Sequence, residues 1–148
     1  MMKLKIGEKE LNIKFGYEPT VKGKILSRMA KLEKAVDADD DKGIDIIEEM
    51  LLLLPEILLI GLQVHHNDEY GYDYDTEEGK KEQLKKMFQF MDEYCDSEDA
   101  DLRGLYEKLE MAMLQNGFLK SLFQKEKKKL EQIEETAQPK LEVVESEN

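Results

Sequence analysis

A mainly α fold is what this sequence predicts: a compact bundle of four to five helices with a small N-terminal β-hairpin. Three observations lead there. The stretch IDIIEEMLLLLPEILLIGLQV, residues 44–64, has fourteen large apolar residues among its twenty-one, too many for a surface helix and suited to one packed on several sides. From about residue 19 onward apolar residues return at helical spacing, with Leu, Met and Glu abundant. Only residues 2–15 alternate at period two. At 148 residues the chain suits one domain with a real core.

Leu4 and Ile6, then Leu11, Ile13 and Phe15, sit at period two on either side of Gly7-Glu8-Lys9-Glu10, which predicts the hairpin over 2–15. A hairpin alone is marginal, so it must pack on the helices or pair with another chain. Val21, Ile25, Met29, Leu32 and Val36 then form one face of a helix over 19–36, with Pro19 in its first turn and Gly23 as a weak point costing roughly 1 kcal/mol relative to Ala. The apolar stretch gives the central helix over 44–66. Its acids Asp45, Glu48, Glu49 and Glu56 mark the side that could face water, and Pro55 predicts a kink, or a break with a second helix starting there. Asp75 or Thr76 caps a helix over 76–95 whose face is Leu84, Met87, Phe88, Met91 and Tyr94. Ser97 to Asp99 cap another over 99–116, with Leu102, Leu105, Leu109, Ala112 and Met113 inward and Asn116-Gly117 as its stop. A last helix over 118–135 opens on the apolar cluster Phe118, Leu119, Leu122 and Phe123 and keeps only Leu130 and Ile133 beyond it. These elements make a single domain over 1–135. Residues 136–148, with Pro139 and an acidic end, have no periodicity and are expected to be a disordered tail.

Composition excludes several classes of function. A net charge of −12 with 38% charged residues opposes binding to nucleic acid, whose phosphates it would repel. The apolar run Met50–Val64 is shorter than the roughly 20 residues a bilayer needs and carries Pro55 and Glu56, so no membrane partner is expected. The single cysteine, Cys95, fits a reducing compartment and lacks a nearby base to activate it, and no signal-peptide core opens the chain. No phosphate loop, CxxC or Ser/His/Asp order occurs, so neither an enzyme nor a bound cofactor is expected.

Two metal readings can be set out from the residues. Counting Asp37 as position 1, Asp37, Asp39, Asp41, Asp45 and Glu48 fall at positions 1, 3, 5, 9 and 12 of an EF-hand-like loop, but Lys42 stands where the sharp turn needs Gly. A calcium-responsive regulatory protein is therefore the alternative function, against an acidic loop leading into a helix N-terminus. His65, His66 and Asp68 are metal ligands by type, yet adjacent histidines point to different sides of a helix and no spaced third His or Cys follows. The acidic loop and the helix end are the simpler readings.

Charge is unevenly laid out. Residues 1–36 carry nine bases against four acids, a net +5, and residues 67–101 thirteen acids against four lysines, a net −9. Opposite charges at two ends favour head-to-tail association, which closes into rings or runs into open spirals; the same layout also allows neutralisation within one molecule. Methionine-rich helix faces adapt to varied helical partners, although the same residues also fill cores. The residues assigned to partner binding are Leu51, Leu54, Leu58, Met87, Phe88, Met91, Met113, Leu114, Phe118, Leu119, Leu122 and Phe123.

The segments MKLKIGEKELNIKFGYE, LLPEILLIGLQVHHNDEYGYDYDTEEGK and LQNGFLKSLF, in that order over residues 2–125, resemble the tail assembly chaperones of long-tailed bacteriophages of Gram-positive hosts. The resemblance implies a mainly helical, non-enzymatic protein of the host cytoplasm that coats the long, helical, apolar tape measure protein until the tail tube assembles around it. It also implies self-association into a ring or open spiral and absence from the mature virion. The family has no catalytic or ligand residues to carry over.

Overall fold

The computed structural model describes residues 2–37, 43–115 and 119–120. Along this chain run β1 (Met2–Ile6), β2 (Lys9–Ile13), α1 (Tyr17–Lys22), α2 (Leu26–Asp37), α3 (Gly43–Gly61), α4 (Asn67–Tyr70), α5 (Glu77–Cys95) and α6 (Leu102–Gln115). The fold is mainly helical, with six helices among the described residues and one antiparallel two-stranded hairpin. No helix of the described residues is long and apolar enough to cross a membrane.

In the hairpin Met2 pairs with Ile13, Leu4 with Leu11 and Ile6 with Lys9. The loop is therefore Gly7-Glu8 alone, two residues shorter than the alternation implies. Gly7 takes a φ of +60° and Glu8 does not turn positive, the pattern of a II′ turn whose twist matches its strands. Period two then puts Ile6, Leu11 and Ile13 into the core on one face while Lys3 and Lys5 face water.

One cluster of buried apolar side chains draws on both strands and on α2 through α6, and α3 touches α1, α2, α5, α6 and β2. Leu53, Leu54 and Ile57 to Ile60 are buried almost completely, each stabilising the fold by roughly 1.5–3 kcal/mol. Glycines set two close approaches to this helix. A Cβ on Gly61 would lie 2.7 Å from Ile13 Cγ2, and one on Gly23 would lie 2.6 Å from Ile60 Cδ1. The hairpin is fixed there by hydrogen bonds from Lys14 N to Gly61 O (2.9 Å) and from Asn12 N to His66 Nε2 (2.9 Å).

Several boundaries differ from the expected ones. The helix over 19–36 is two helices, because Gly23 ends α1 and Lys24 adopts a left-handed φ of 52° before α2 begins. No second helix starts at Pro55; α3 runs through it, and Pro55 is buried among the leucines. The central helix stops at Gly61, where the hairpin crosses, and α4 is a separate turn. On α5 the buried aromatic is Phe90, set edge-on to Tyr70 at 5.7 Å, whereas Phe88 is exposed. Asp101, not Ser97 to Asp99, caps α6, accepting from Gly104 N through Oδ1 at 3.0 Å. Ser97 instead donates to Tyr94 O at the end of α5 (2.7 Å). The helix over 118–135 and the tail 136–148 lie outside the described residues, apart from Leu119 and Lys120.

A polar seam joins α3 to the tyrosine-rich segment. Buried Gln63 donates to Leu59 O (3.1 Å) and Tyr70 O (2.9 Å) and accepts from the Tyr74 hydroxyl (3.0 Å). Burial first, then the neighbouring Tyr74 and Glu56, pushes the Tyr72 hydroxyl up to about 12.

Candidate partner-binding site

The first half of α3 leaves large apolar side chains in water. Ile44 is 75% exposed, Ile47 48%, Leu51 39% and Leu52 52%; i, i+3 and i, i+4 spacing puts Ile44, Ile47 and Leu51 along one face, with Leu52 to its side. Single exposed leucines are ordinary; four exposed large apolar side chains in the first ten residues of a helix that elsewhere forms the core are not. Val36, at the end of α2, is exposed as well.

Beside this row α2, α3 and α6 enclose an open cleft of about 360 Å³. Leu32, Val36, Ile46 and Met50 give it apolar walls, and Glu33, Arg103, Glu107 and Glu110 stand around it. A second opening of about 340 Å³ lies on the other side of the α2–α3 contact, with Arg28, Lys31, Asp45 and Glu49 along it, and Leu32 and Ile46 separate the two.

Three polar groups in the first cleft are unusual. Burial, then a hydrogen bond with the Glu33 carboxyl and the charges of Glu33 and Glu107, pushes the Glu110 carboxyl up to about 7. Two carboxyl groups this close share a proton more readily than both ionise. Among the described residues neither has a basic partner within ion-pair distance, and Arg103 makes no ion pair. Tyr106, 6% exposed, holds its hydroxyl buried without a hydrogen-bond partner. Its ionisation is pushed far up by burial first and then by Glu110, Glu33 and Glu49.

Glu56, one helix turn beyond the exposed row, shows the opposite arrangement. Burial would raise its carboxyl, but hydrogen bonds from Lys80 and Arg28 outweigh that and hold it below its ordinary value; the contacts are 2.8 Å and 2.7 Å.

The residues assigned to partner binding from the sequence do not form one surface. Leu54, Leu58, Met87, Met113 and Leu119 are interior side chains of the core, where packing against several elements removes them from any surface. Leu51 and Phe88 are exposed, and Met91 and Leu114 are half-buried against the core. Phe118, Leu122 and Phe123 lie outside the described residues. Sequence reasoning missed Ile44, Ile47 and Leu52, since they sit in the stretch assigned to the core, and it missed the group formed by Glu33, Tyr106 and Glu110. The one local signal for the last was Glu110 four residues beyond Tyr106, on the same helix face.

The acidic loop from Asp37 to Glu48 lies partly outside the described residues, and among the described residues no three His, Cys, Asp or Glu side chains gather as metal ligands. His66 uses Nε2 to accept from Asn12 N, so that nitrogen is engaged in holding the hairpin. Basic N-terminal and acidic central regions meet within the molecule, through Lys9 and Glu69 at 3.2 Å and Lys22 and Asp75 at 3.0 Å. Compared with known proteins, the chain matches no family model, no curated protein and no solved structure.

Proposed function

We propose that this chain is a non-enzymatic tail assembly chaperone of a long-tailed bacteriophage, which binds the elongated helical tape measure protein in the host cytoplasm and keeps it soluble until the tail tube is built. The observation that carries this reading is the exposed row Ile44, Ile47, Leu51 and Leu52 on α3. An apolar helix face open to water is complementary to the apolar stripe of a second helix, the helix-in-groove mode of recognition. The resemblance of residues 2–125 to tail assembly chaperones supplies the identity of that second helix. A net charge of −12 would keep loaded complexes apart in solution. Exposed Phe88 and Met111 offer further apolar points for self-association into a ring or open spiral.

Co-expression with the tape measure protein of the same phage tests this. The unmodified chain should hold the tape measure protein in the soluble fraction and co-purify with it. Ile47→Ser combined with Leu51→Ser should release it to the pellet while the chaperone's own melting temperature stays within a few degrees. Undiminished capture by the double variant, or no capture by the unmodified chain, would count against the proposal.

A further inference from the structure

Two apolar faces of this chain are left over once the core is accounted for. One is the first half of α3, where Ile44, Ile47, Leu51 and Leu52 stay in water. Glu48 stands between Ile44 and Leu52 at i, i+4 spacing, and among the described residues neither Glu48 nor Asp45 makes an ion pair. Residues 43–52 hold three acids and no base, a net −3. The other face is written further along, in SLFQKEKKKLEQI, residues 121–133, which lie outside the described residues. Helical spacing puts its Leu122, Phe123, Leu130 and Ile133 on one side, bordered by Lys127 and Lys129, with Glu126 as the one acid among them. Four lysines against two glutamates give this segment a net +2. We propose that residues 121–133 dock as an amphipathic helix on the exposed face of α3 in the same molecule, and that a client must displace them. The displacement rests on the client-binding role of this face; the docking itself does not.

Reach, charge and tethering all favour this occupant. Tyr106, Glu107 and Glu110 of α6 line one cleft with Ile46 and Met50 of α3, so α6 lies beside the half of α3 that needs covering. Its last residue is Gln115, and Leu119 is buried in the core, which anchors the chain immediately before the segment begins. At 1.5 Å per residue, residues 121–133 as a helix measure about 20 Å, more than the roughly 12 Å from Ile44 to Leu52. Bringing the two stripes together takes both out of water and sets a net +2 against a net −3. A second copy of α3 on the same face would instead set −3 against −3, with like charges pushed together. The tether adds to this preference, because a linker this short holds its own stripe at an effective concentration on the order of millimolar. A client then binds only the open fraction of molecules, and its apparent affinity falls by that fraction.

Cysteine labelling of the full chain tests the docking. Cys95 is exposed, so the background is Cys95→Ser, and Ile47→Cys is compared with Val21→Cys on α1, both positions being 48% exposed. With the rest of the chain unchanged, a maleimide should label Ile47→Cys roughly tenfold more slowly than Val21→Cys. Leu130→Ser combined with Ile133→Ser should speed labelling of Ile47→Cys by about fivefold or more and leave Val21→Cys as it was. Lys127→Glu combined with Lys129→Glu keeps the apolar stripe and should speed it by about threefold. The slow rate should be the same at about 1 and about 100 µM protein, as cover within one molecule requires. Equal rates at the two positions in the otherwise unchanged chain, indifference of Ile47→Cys to both tail pairs, or protection that grows with protein concentration would overturn the proposal, the last in favour of a second copy. The first comparison leaves residues 121–133 untouched, so a misfolded tail variant cannot decide the outcome. Unprotected Ile47→Cys in a chain that still captures the tape measure protein would remove the docked segment alone. Protection in a chain that captures no tape measure protein would remove the proposed client and leave the docked segment standing.

Discussion

From Leu53 to Gly61 every residue of α3 except Glu56 is buried, whereas from Gly43 to Leu52 the same helix leaves Ile44, Ile47, Leu51 and Leu52 largely in water. The two halves draw on the same isoleucines and leucines. What differs is the number of elements that reach them. The C-terminal half is met by the hairpin at Gly61, by α1 near Ile60 and by α5 through the Glu56 and Lys80 ion pair, while α2 and α6 line the cleft beside the N-terminal half. Hydrophobicity therefore does not by itself separate a core from an apolar face left in water. The glutamates beside the two halves report the same contrast. Two cations hold the Glu56 carboxyl below its ordinary value, and burial with a second carboxyl pushes that of Glu110 up to about 7.

The largest effect that would break this comparison is a difference in mutational cost. Leu58→Ala removes a side chain with no exposure and should lower unfolding free energy by about 2–5 kcal/mol. Leu52→Ala, the same chemical change one half-helix away, should cost about 1 kcal/mol or less. Urea denaturation of the two variants measures both, and equal costs would mean that the N-terminal half is covered as fully as the other.

Next in size is the paired carboxylate. Glu56→Gln leaves Arg28 and Lys80 without their shared partner and should destabilise by about 1–2 kcal/mol at pH 7. Because the folded carboxyl lies below its ordinary value of 4.5, its contribution is present above that value and is lost as pH falls through the lower, folded one. The unmodified chain should thus lose more stability than the variant between pH 6 and pH 3.

Glu110 should behave with the opposite sign. Its folded value of about 7 lies above the ordinary 4.5, so the stability it contributes is complete below 4.5 and is lost as pH rises through about 7. Glu110→Gln, a mimic of the protonated form, should stabilise by about 1 kcal/mol at pH 8, less than the whole shift implies because water reaches the pair, and by almost nothing at pH 4. Thermal melts at the two pH values decide it; a destabilised variant at pH 8 would mean that the carboxylate has a cation partner after all.

The smallest effect on stability belongs to the exposed row. Ile47→Ser should shift unfolding free energy by no more than about 0.5 kcal/mol, and a loss of several kcal/mol would place that side chain in a core.

Much of the architecture was legible in local chemistry. Period-two spacing around Gly7 marks the hairpin, helical spacing marks α2, α5 and α6, and the density of leucine and isoleucine after Met50 identifies the helix around which the rest is packed. These follow from backbone geometry and from apolar side chains leaving water, both of which act over a few residues. Helix ends were less legible, since Ser97 and Asp101 are both good caps by type and only the loop held by Tyr94, which accepts from Asp101 N and donates to Asp101 O, selects between them. Of the exposed side chains on the first half of α3, only Leu51 was legible as a surface residue. Whether Ile47 is covered depends on which elements arrive beside it, and apolar character records a tendency to be covered without recording by what. The group of Glu33, Tyr106 and Glu110 likewise exists only because α2 and α6 converge. Glu33 and Glu110 are seventy-seven positions apart in the chain, and the raised Glu110 carboxyl and the unpartnered Tyr106 hydroxyl arise from an approach that tertiary packing alone decides.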